Sequence, residues 1–156
     1  MTPEEWLMCK PYFDPTSKVD NWGAPDKVKF ESVYELKRLR ERLGLPIIVT
    51  SAHREGSEFR DSEHPKGSAI DIVVPKWKHG VFNLAIEALR FNFRGIGIYR
   101  DWEHEGIKIG ELHFDRRETE VRALWTCWKE LGRQVYGAFD QKTLQEKGFL
   151  GRSLTE

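Results

Sequence analysis

The stretch SEHPKGSAIDIVVP, residues 62–75, carries the most information about the fold. Its first half is polar and contains a glycine, as loops do, and from Ala69 it becomes an apolar run that ends at Pro75. This pattern predicts a loop that leads into a buried strand. Asp71 interrupts the apolar run, and a buried carboxylate is costly without a partner charge or a metal. His64 is a candidate partner, unless Asp71 only caps a turn and His64 is a solvated loop residue.

A second polar segment, GELHFDR at residues 110–116, alternates in the way that strands do. Because successive side chains of a strand point to opposite faces, we expect Glu111, His113 and Asp115 on one face. An amphipathic edge strand with a solvated charged face would give the same pattern. Combined with the first stretch, the segment supplies two histidines and a carboxylate as candidate ligands, with a glutamate to spare. A catalytic zinc site needs three protein ligands, an open fourth position and a nearby carboxylate as base.

The segments around these two stretches predict a mixture of helices and strands. In chain order, we predict an ordered arm at 1–25, a helix at 26–43, a strand at 45–50, a strand at 69–74, a helix at 79–93 and strands at 95–99 and 107–115. The polar residues 100–106 predict a hairpin between the last two strands. From residue 117 onward, apolar residues at helical spacing predict a helical extension that ends in a polar tail.

Composition excludes several functional classes. The length of 156 residues corresponds to one domain of roughly 100–200 residues, and equal numbers of acidic and basic side chains give no net charge. A basic surface for nucleic acid is therefore not expected. No apolar run approaches the ~18 residues of a membrane span, and the N-terminus does not resemble a signal peptide. Cys9 and Cys127 lie far apart without CxxC spacing, so we expect reduced thiols that pack in the interior of a cytoplasmic product.

The string SEHPKGSAID, residues 62–71, is similar to the SxHxxGxAxD motif of a known family. This family comprises the zinc D-alanyl-D-alanine carboxypeptidases and L-alanyl-D-glutamate endopeptidases, with VanX- and VanY-type enzymes and phage endolysins in its wider circle. Further landmarks follow in the family's order. They are a helix, strand and SGYR-like turn at 39–54, with His53 where an aromatic is usual, and GxGxY-like and HxDxR-like segments at 95–99 and 113–116. The resemblance covers roughly residues 13–125.

The resemblance implies an α+β fold in which a small antiparallel sheet has helices packed on one side, as in hedgehog and D-Ala-D-Ala peptidase domains. It implies one Zn²⁺ ion bound by His64, Asp71 and His113. Arg54 would orient the carboxylate or peptide carbonyl of the substrate, and Ser62 would contribute to substrate binding. The catalytic domain would span residues 1–156, with a family-like core at about 13–125 and the helical extension and tail at about 117–156.

The general base is less directly implied. Many relatives place the catalytic acid three residues before the last histidine ligand, where this chain has Gly110. Glu111 lies one residue later and faces the metal together with His113 if the strand is regular. We therefore predict Glu111 as the base, with Glu103, His104 and Glu105 as substitutes.

Other side chains near the motifs have supporting roles in this interpretation. Asp115 is expected to accept a hydrogen bond from a ligand histidine. A salt bridge from Asp115 to Arg116 or Arg54 is the alternative. Trp125 and Trp128 are expected to anchor the core rather than to bind sugars.

The implied function is a zinc peptidase that cleaves stem peptides of bacterial peptidoglycan, either as a carboxypeptidase or as an endolysin-type endopeptidase. A non-catalytic zinc-containing module that binds peptidoglycan, such as a virion component, is the alternative that Gly110 leaves open. A metal-free cytoplasmic domain is a third. Without a signal peptide, we expect the protein to reach the wall after lysis or on a phage particle. We expect a monomer with no nucleic-acid partner and no membrane insertion.

Overall fold

A computed structural model describes residues 1–56 and 62–150 of the chain. The predicted α+β class is confirmed: the described residues form a six-stranded sheet, a small two-stranded sheet and four α-helices. The helices are α1 (Pro3–Cys9), α2 (Phe30–Leu43), α3 (Gly80–Ala88) and α4 (Gln141–Glu146), and a 3-10 turn lies at Pro25–Lys27. The strands are β1 (Ile48–Ser51), β2 (Ala69–Val73), β3 (Gly95–Tyr99), β4 (Glu103–His104), β5 (Ile107–Lys108), β6 (Glu111–Asp115), β7 (Ala123–Glu130) and β8 (Arg133–Ala138).

The large sheet has the strand order β1-β2-β6-β3-β7-β8. Its neighbouring strands are antiparallel, as expected, except for β3 and β7, which are parallel. The parallel pair follows from the connection after β6. Gly95, at the start of β3, is paired with both Asp115 and Ala123. The connection from β6 to β7 therefore crosses the end of β3 near Gly95, and β7 pairs with the opposite edge of β3.

The two faces of the sheet have different chemistry. One face carries the aliphatic and aromatic side chains of β2, β3 and β6, which are Ile70, Ile72, Ile96, Ile98, Leu112 and Phe114, each at most 1% exposed. They form one core with buried residues of α1, α2 and α3, and with Trp6, Phe13 and Trp22 of the predicted arm. The opposite face carries Asp71 and His113. The helical layer thus fixes the strands from behind and leaves the polar face to form a site.

The long helices differ from prediction mainly at their ends. α2 begins at Phe30 rather than at residue 26, because the chain first makes the 3-10 turn after Pro25. It ends at Leu43 as predicted, where the amide of Gly44 donates to the carbonyl of Arg40 at 3.0 Å. α3 ends at Ala88 rather than at residue 93. None of the helices in the described part of the chain is long and apolar enough to span a membrane.

The predicted helical extension after residue 117 is wrong for residues 123–138. These residues form the antiparallel hairpin β7–β8, and only the six residues of α4 are helical beyond it. Spacing of three and four also occurs when apolar residues occupy both faces of a strand, and the aromatic and β-branched content of β7 favours a strand. A two-residue turn, Leu131-Gly132, joins the two strands. Both turn residues have a positive φ, as tight hairpins require. The tail at 151–156 lies outside the described residues.

The predicted hairpin after β3 is present in outline. β3 pairs with β6, but the predicted strand at 107–115 is interrupted at Gly110, whose φ is 76°. Residues 103–108 form the separate pair β4–β5 at the tip. β6 therefore begins at Glu111.

Candidate metal centre

Three ligand-type side chains converge on the polar face of the sheet. Asp71 of β2 and His113 of β6 are directly opposite each other in the antiparallel register, and His64 approaches from the loop before β2. One ligand atom from each of them lies within 4.8 Å of the others, and all three residues are buried. The separations are 2.7 Å between His113 Nδ1 and Asp71 Oδ1 and 3.1 Å between His64 Nε2 and Asp71 Oδ2.

The loop that carries His64 is closed by its own hydrogen bonds. The Gly67 amide donates to the His64 carbonyl at 3.0 Å, and the Ser68 amide donates to the Glu63 carbonyl at 3.2 Å. The Ser68 hydroxyl also donates to the Glu63 carboxylate at 2.5 Å. These contacts fold the six residues between His64 and Asp71 back on themselves, so that the two side chains meet.

Both histidine rings are oriented by the nitrogen that faces away from the cluster. His64 Nδ1 lies 2.6 Å from the carbonyl oxygen of Ala52, which can only accept, so this nitrogen carries the proton. The lone pair of His64 Nε2 is therefore aimed at the cluster, and this buried atom has no hydrogen-bond partner of acceptable geometry despite its approach to Asp71. His113 Nε2 lies 3.2 Å from Asp115 Oδ2, which leaves Nδ1 toward Asp71.

Two imidazole nitrogens and one carboxylate that converge on one point are a donor set that zinc prefers. The residues present therefore fit a zinc ion, and the unsatisfied Nε2 of His64 is the clearest sign of it.

The charges around the cluster favour a cation. Although burial opposes its ionisation, the hydrogen bond from His113 and the two neighbouring imidazoles hold the pKa of Asp71 well below its usual range. Burial also disfavours a charged His113, yet hydrogen bonds to Asp115 and Asp71 raise its pKa to about 9. Two carboxylates thus flank one imidazole within a buried pocket, and this concentration of negative charge stabilises positive charge at the same place.

Asp115 contacts both His113 and a neighbouring arginine. Its side chain is fully buried, and it accepts hydrogen bonds from Arg117 Nε at 2.9 and 3.1 Å and from the Arg117 amide at 3.1 Å. Burial opposes the charge of Asp115, but these bonds hold its pKa well below the usual range. The sequence offered Arg116 or Arg54 as the salt-bridge partner. The structure places Arg117 there, because the chain turns at the end of β6.

Glu111 lies beside the cluster at the start of β6. It is 4% exposed, lines the same cleft as His113, and its Oε1 accepts a hydrogen bond from the hydroxyl of Thr50. Burial and the negative charge of Asp71 raise the pKa of Glu111 to about 8. Residues 103–105 belong to the β4–β5 hairpin and are not among the described residues that line the cleft.

The cluster lies at the floor of a cleft of about 1000 Å³. Arg54 lines it with its side chain about half exposed, and its Nη2 lies 3.8 Å from Asp71 Oδ2. Ser62 also lines the cleft, and its hydroxyl oxygen lies 3.4 Å from the amide of His64.

One wall of this cleft is aromatic, a feature that the sequence pattern did not predict. Its members are Tyr99, Trp102, Trp125 and Tyr136. The expectation that Trp125 anchors the core is wrong, because it lies on the polar face beside His113, whereas Trp128 is in the core. Strand alternation across β7 puts the two tryptophans on opposite faces, whereas the predicted helix puts both on one face.

Comparison with known proteins identifies a family match that includes part of this cluster. Residues 11–105 match the family model described as Peptidase M15. A search of curated proteins found no match. The matched segment contains His64 and Asp71 and ends before Glu111 and His113, whose assignment rests on the sequence motif and on the geometry above. Since the match spans more than half of the 156 residues, the chain belongs to the M15 peptidase family, which includes the zinc D-Ala-D-Ala carboxypeptidases and VanY-like enzymes.

Proposed function

We propose that this protein is a zinc-dependent peptidase that hydrolyses a peptide bond in the stem peptides of bacterial peptidoglycan. The observation that carries the proposal is the convergence of His64 Nε2, the Asp71 carboxylate and His113 Nδ1 at the floor of an open cleft. Membership of the zinc-dependent M15 family supports a peptidase. The stem-peptide substrate is carried over from the family, and either a carboxypeptidase or an endopeptidase fits the cleft.

The residues around the cluster can each take a different role in hydrolysis. His64, Asp71 and His113 would hold a zinc ion, which would act as a Lewis acid and lower the pKa of a bound water. Arg54 binds a carboxylate or carbonyl oxygen of the substrate through its planar guanidinium group. Glu111 accepts a proton from the attacking water and returns it to the leaving amine, while the Thr50 hydroxyl holds the Glu111 carboxylate in place.

A non-catalytic peptidoglycan-binding module remains the second candidate. The observation that favours it is Gly110, which occupies the position where many relatives carry the catalytic acid. For either function, we propose that the protein meets the cell wall after lysis or as part of a phage particle.

Digestion of purified peptidoglycan tests the proposal. The zinc-loaded protein is incubated with peptidoglycan, and the released fragments are identified by mass spectrometry. We expect new peptide termini with the parent and none with His113→Ala, which should also lose stoichiometric zinc in metal analysis because one of three protein ligands is gone. Zinc binding without new termini would favour the binding module. An unchanged zinc content in His113→Ala would contradict the ligand assignment.

A further inference from the structure

The indole of Trp125 reaches the ligand His113 across a gap in the intervening strand. Gly97 of β3 is paired with His113 on one side and with Trp125 on the other. A Cβ atom on Gly97 would lie 2.4 Å from Cε2 of Trp125. The indole therefore occupies the space that a side chain on β3 would fill. Its ring centroid lies 5.2 Å from that of the His113 imidazole, with 51° between the planes.

Arg117 connects the same indole to the other side of His113. Its guanidinium carbon lies 5.1 Å from the ring centroid of Trp125, within the range of a cation–π contact. The same guanidinium group binds Asp115, which meets His113 Nε2 at 3.2 Å. A closed ring of contacts thus joins four side chains, those of His113, Asp115, Arg117 and Trp125. We call this group the Trp125 brace.

We propose that Trp125 is a positioning residue for the metal ligand His113. The contacts with Asp115 and Asp71 restrain both ring nitrogens in the plane of the imidazole, but they do not stop the ring from tilting out of that plane. The indole on one side of the ring blocks this motion, and Arg117 holds the indole and Asp115 in a fixed relation. Nδ1 is then kept directed at Asp71. Preorganised ligands bind a metal more tightly because less conformational freedom is lost on binding.

The brace is supplied by parts of the chain beyond the matched segment 11–105. Trp125 comes from β7 of the C-terminal hairpin, and Arg117 comes from the connection that crosses the end of β3. The proposal rests on the metal centre of the proposed function and adds a role for the hairpin: it supports a ligand.

Zinc affinity, measured by competition with a chromophoric chelator, tests the brace. Partners of ligand histidines typically contribute about 10–100-fold in metal affinity, so Trp125→Leu should weaken zinc binding on that scale. Trp125→Phe keeps a flat ring over Gly97 and should retain most of the affinity. Trp128→Phe is the matched control, because Trp128 lies three residues further along the same strand on the core face. It should bind zinc like the parent, even where urea unfolding shows a lower stability.

The possible outcomes separate this proposal from the one on which it rests. A parent protein that binds no zinc would overturn the metal centre itself. A folded Trp125→Leu variant with the affinity of the parent would overturn the brace, as would an equal loss in Trp128→Phe. If Trp125→Leu does not fold, Arg117→Lys is measured in its place. Lysine keeps the charge but cannot both stack on the indole and form the paired hydrogen bonds to Asp115. We expect Arg117→Lys to bind zinc at least about tenfold more weakly, and an unchanged affinity would contradict the proposal.

Discussion

At the level of single residues, Glu111 and Arg54 flank Asp71 but differ in burial. Glu111 is 4% exposed and tied to Thr50, whereas the side chain of Arg54 is 54% exposed and reaches Asp71 only at 3.8 Å. A buried carboxylate can serve one fixed position, as proton transfer requires. An exposed guanidinium can meet an incoming anionic group and turn with it. The two residues are therefore suited to different steps, and each can be tested by a change that preserves its shape or its charge.

Glu111→Gln should lower kcat by about 10²–10⁴-fold while zinc content and fold are retained, because glutamine keeps the shape and cannot accept the proton. Rates of peptide release and metal analysis on the same preparation measure both effects. Glu103→Gln serves as the comparison, since Glu103 is exposed on β4. Full activity in Glu111→Gln with a loss in Glu103→Gln would place the base in the 103–105 turn.

Arg54→Lys should lose activity about 10–100-fold with little change in melting temperature. The lysine retains the charge but not the paired donors, and a hydrogen bond to a charged group contributes about 1.5–3 kcal/mol. Arg90→Lys provides the control for a generic arginine replacement, because Arg90 lies two residues beyond α3 with an exposed side chain. Equal activity of the Arg54 variant and the parent would remove Arg54 from the substrate site.

At the level of elements, the start of β6 determines where Glu111 lies. Gly110 has a φ of 76°, and a Cβ atom there would lie 2.6 Å from Cβ of Val81 on α3. Gly106, in the β4–β5 turn, has the same φ, but a Cβ there would meet nothing within 4 Å. A substitution at Gly106 therefore introduces backbone strain alone, whereas the same substitution at Gly110 also introduces a packing clash. The break at Gly110 lets α3 approach the sheet and starts β6 with Glu111 on the polar face.

Gly110→Ala should therefore destabilise the protein more than Gly106→Ala does. Left-handed backbone costs an alanine about 1–2 kcal/mol at either position, and the clash with Val81 adds about 1–3 kcal/mol at Gly110 alone. Urea unfolding of the two variants measures the difference. Equal losses would show that α3 can move aside without cost.

At the level of the whole molecule, Asp101 connects elements that are distant in sequence. It is 8% exposed and binds Arg100 beside it, Lys108 Nζ of β5 at 3.0 Å and the Lys129 amide of β7 at 2.8 Å. Burial opposes the charge, but these hydrogen bonds hold the pKa of Asp101 well below its usual range. The carboxylate thereby ties the β4–β5 hairpin and the C-terminal hairpin to the end of β3.

Asp101→Asn should lower the free energy of unfolding at pH 7 by about 2 kcal/mol, since hydrogen bonds to a charged group are weakened. The lowered pKa means that this stabilisation is present above the unfolded value, near pH 4, and is lost as the pH falls further. The difference between parent and variant should therefore shrink from pH 7 to pH 3, as measured by urea unfolding at each pH. A constant difference would indicate that the charge of Asp101 contributes nothing.

Local sequence pattern determined several strands and helix ends of this protein. Residues 69–74 predict β2 because an apolar run between a polar loop and a proline has few other structures available. β3 and the end of α2 followed from equally local signals. Asp71 could also be named in advance as a candidate ligand, because a carboxylate inside an apolar strand is costly without a partner, and the family resemblance added His64 and His113.

Tertiary structure decided what local pattern leaves open. Residues 123–130 fit helical spacing and strand alternation alike, and pairing with β3 and β8 resolves this ambiguity in favour of a strand. The same pairing brings Trp125 over Gly97 and onto His113, and the crossing connection places Arg117, rather than Arg54 or Arg116, on Asp115. These contacts join residues through strand register and chain crossing, which depend on the whole sheet. The sequence therefore indicated the candidate ligands, and only the folded sheet determined which side chains surround them.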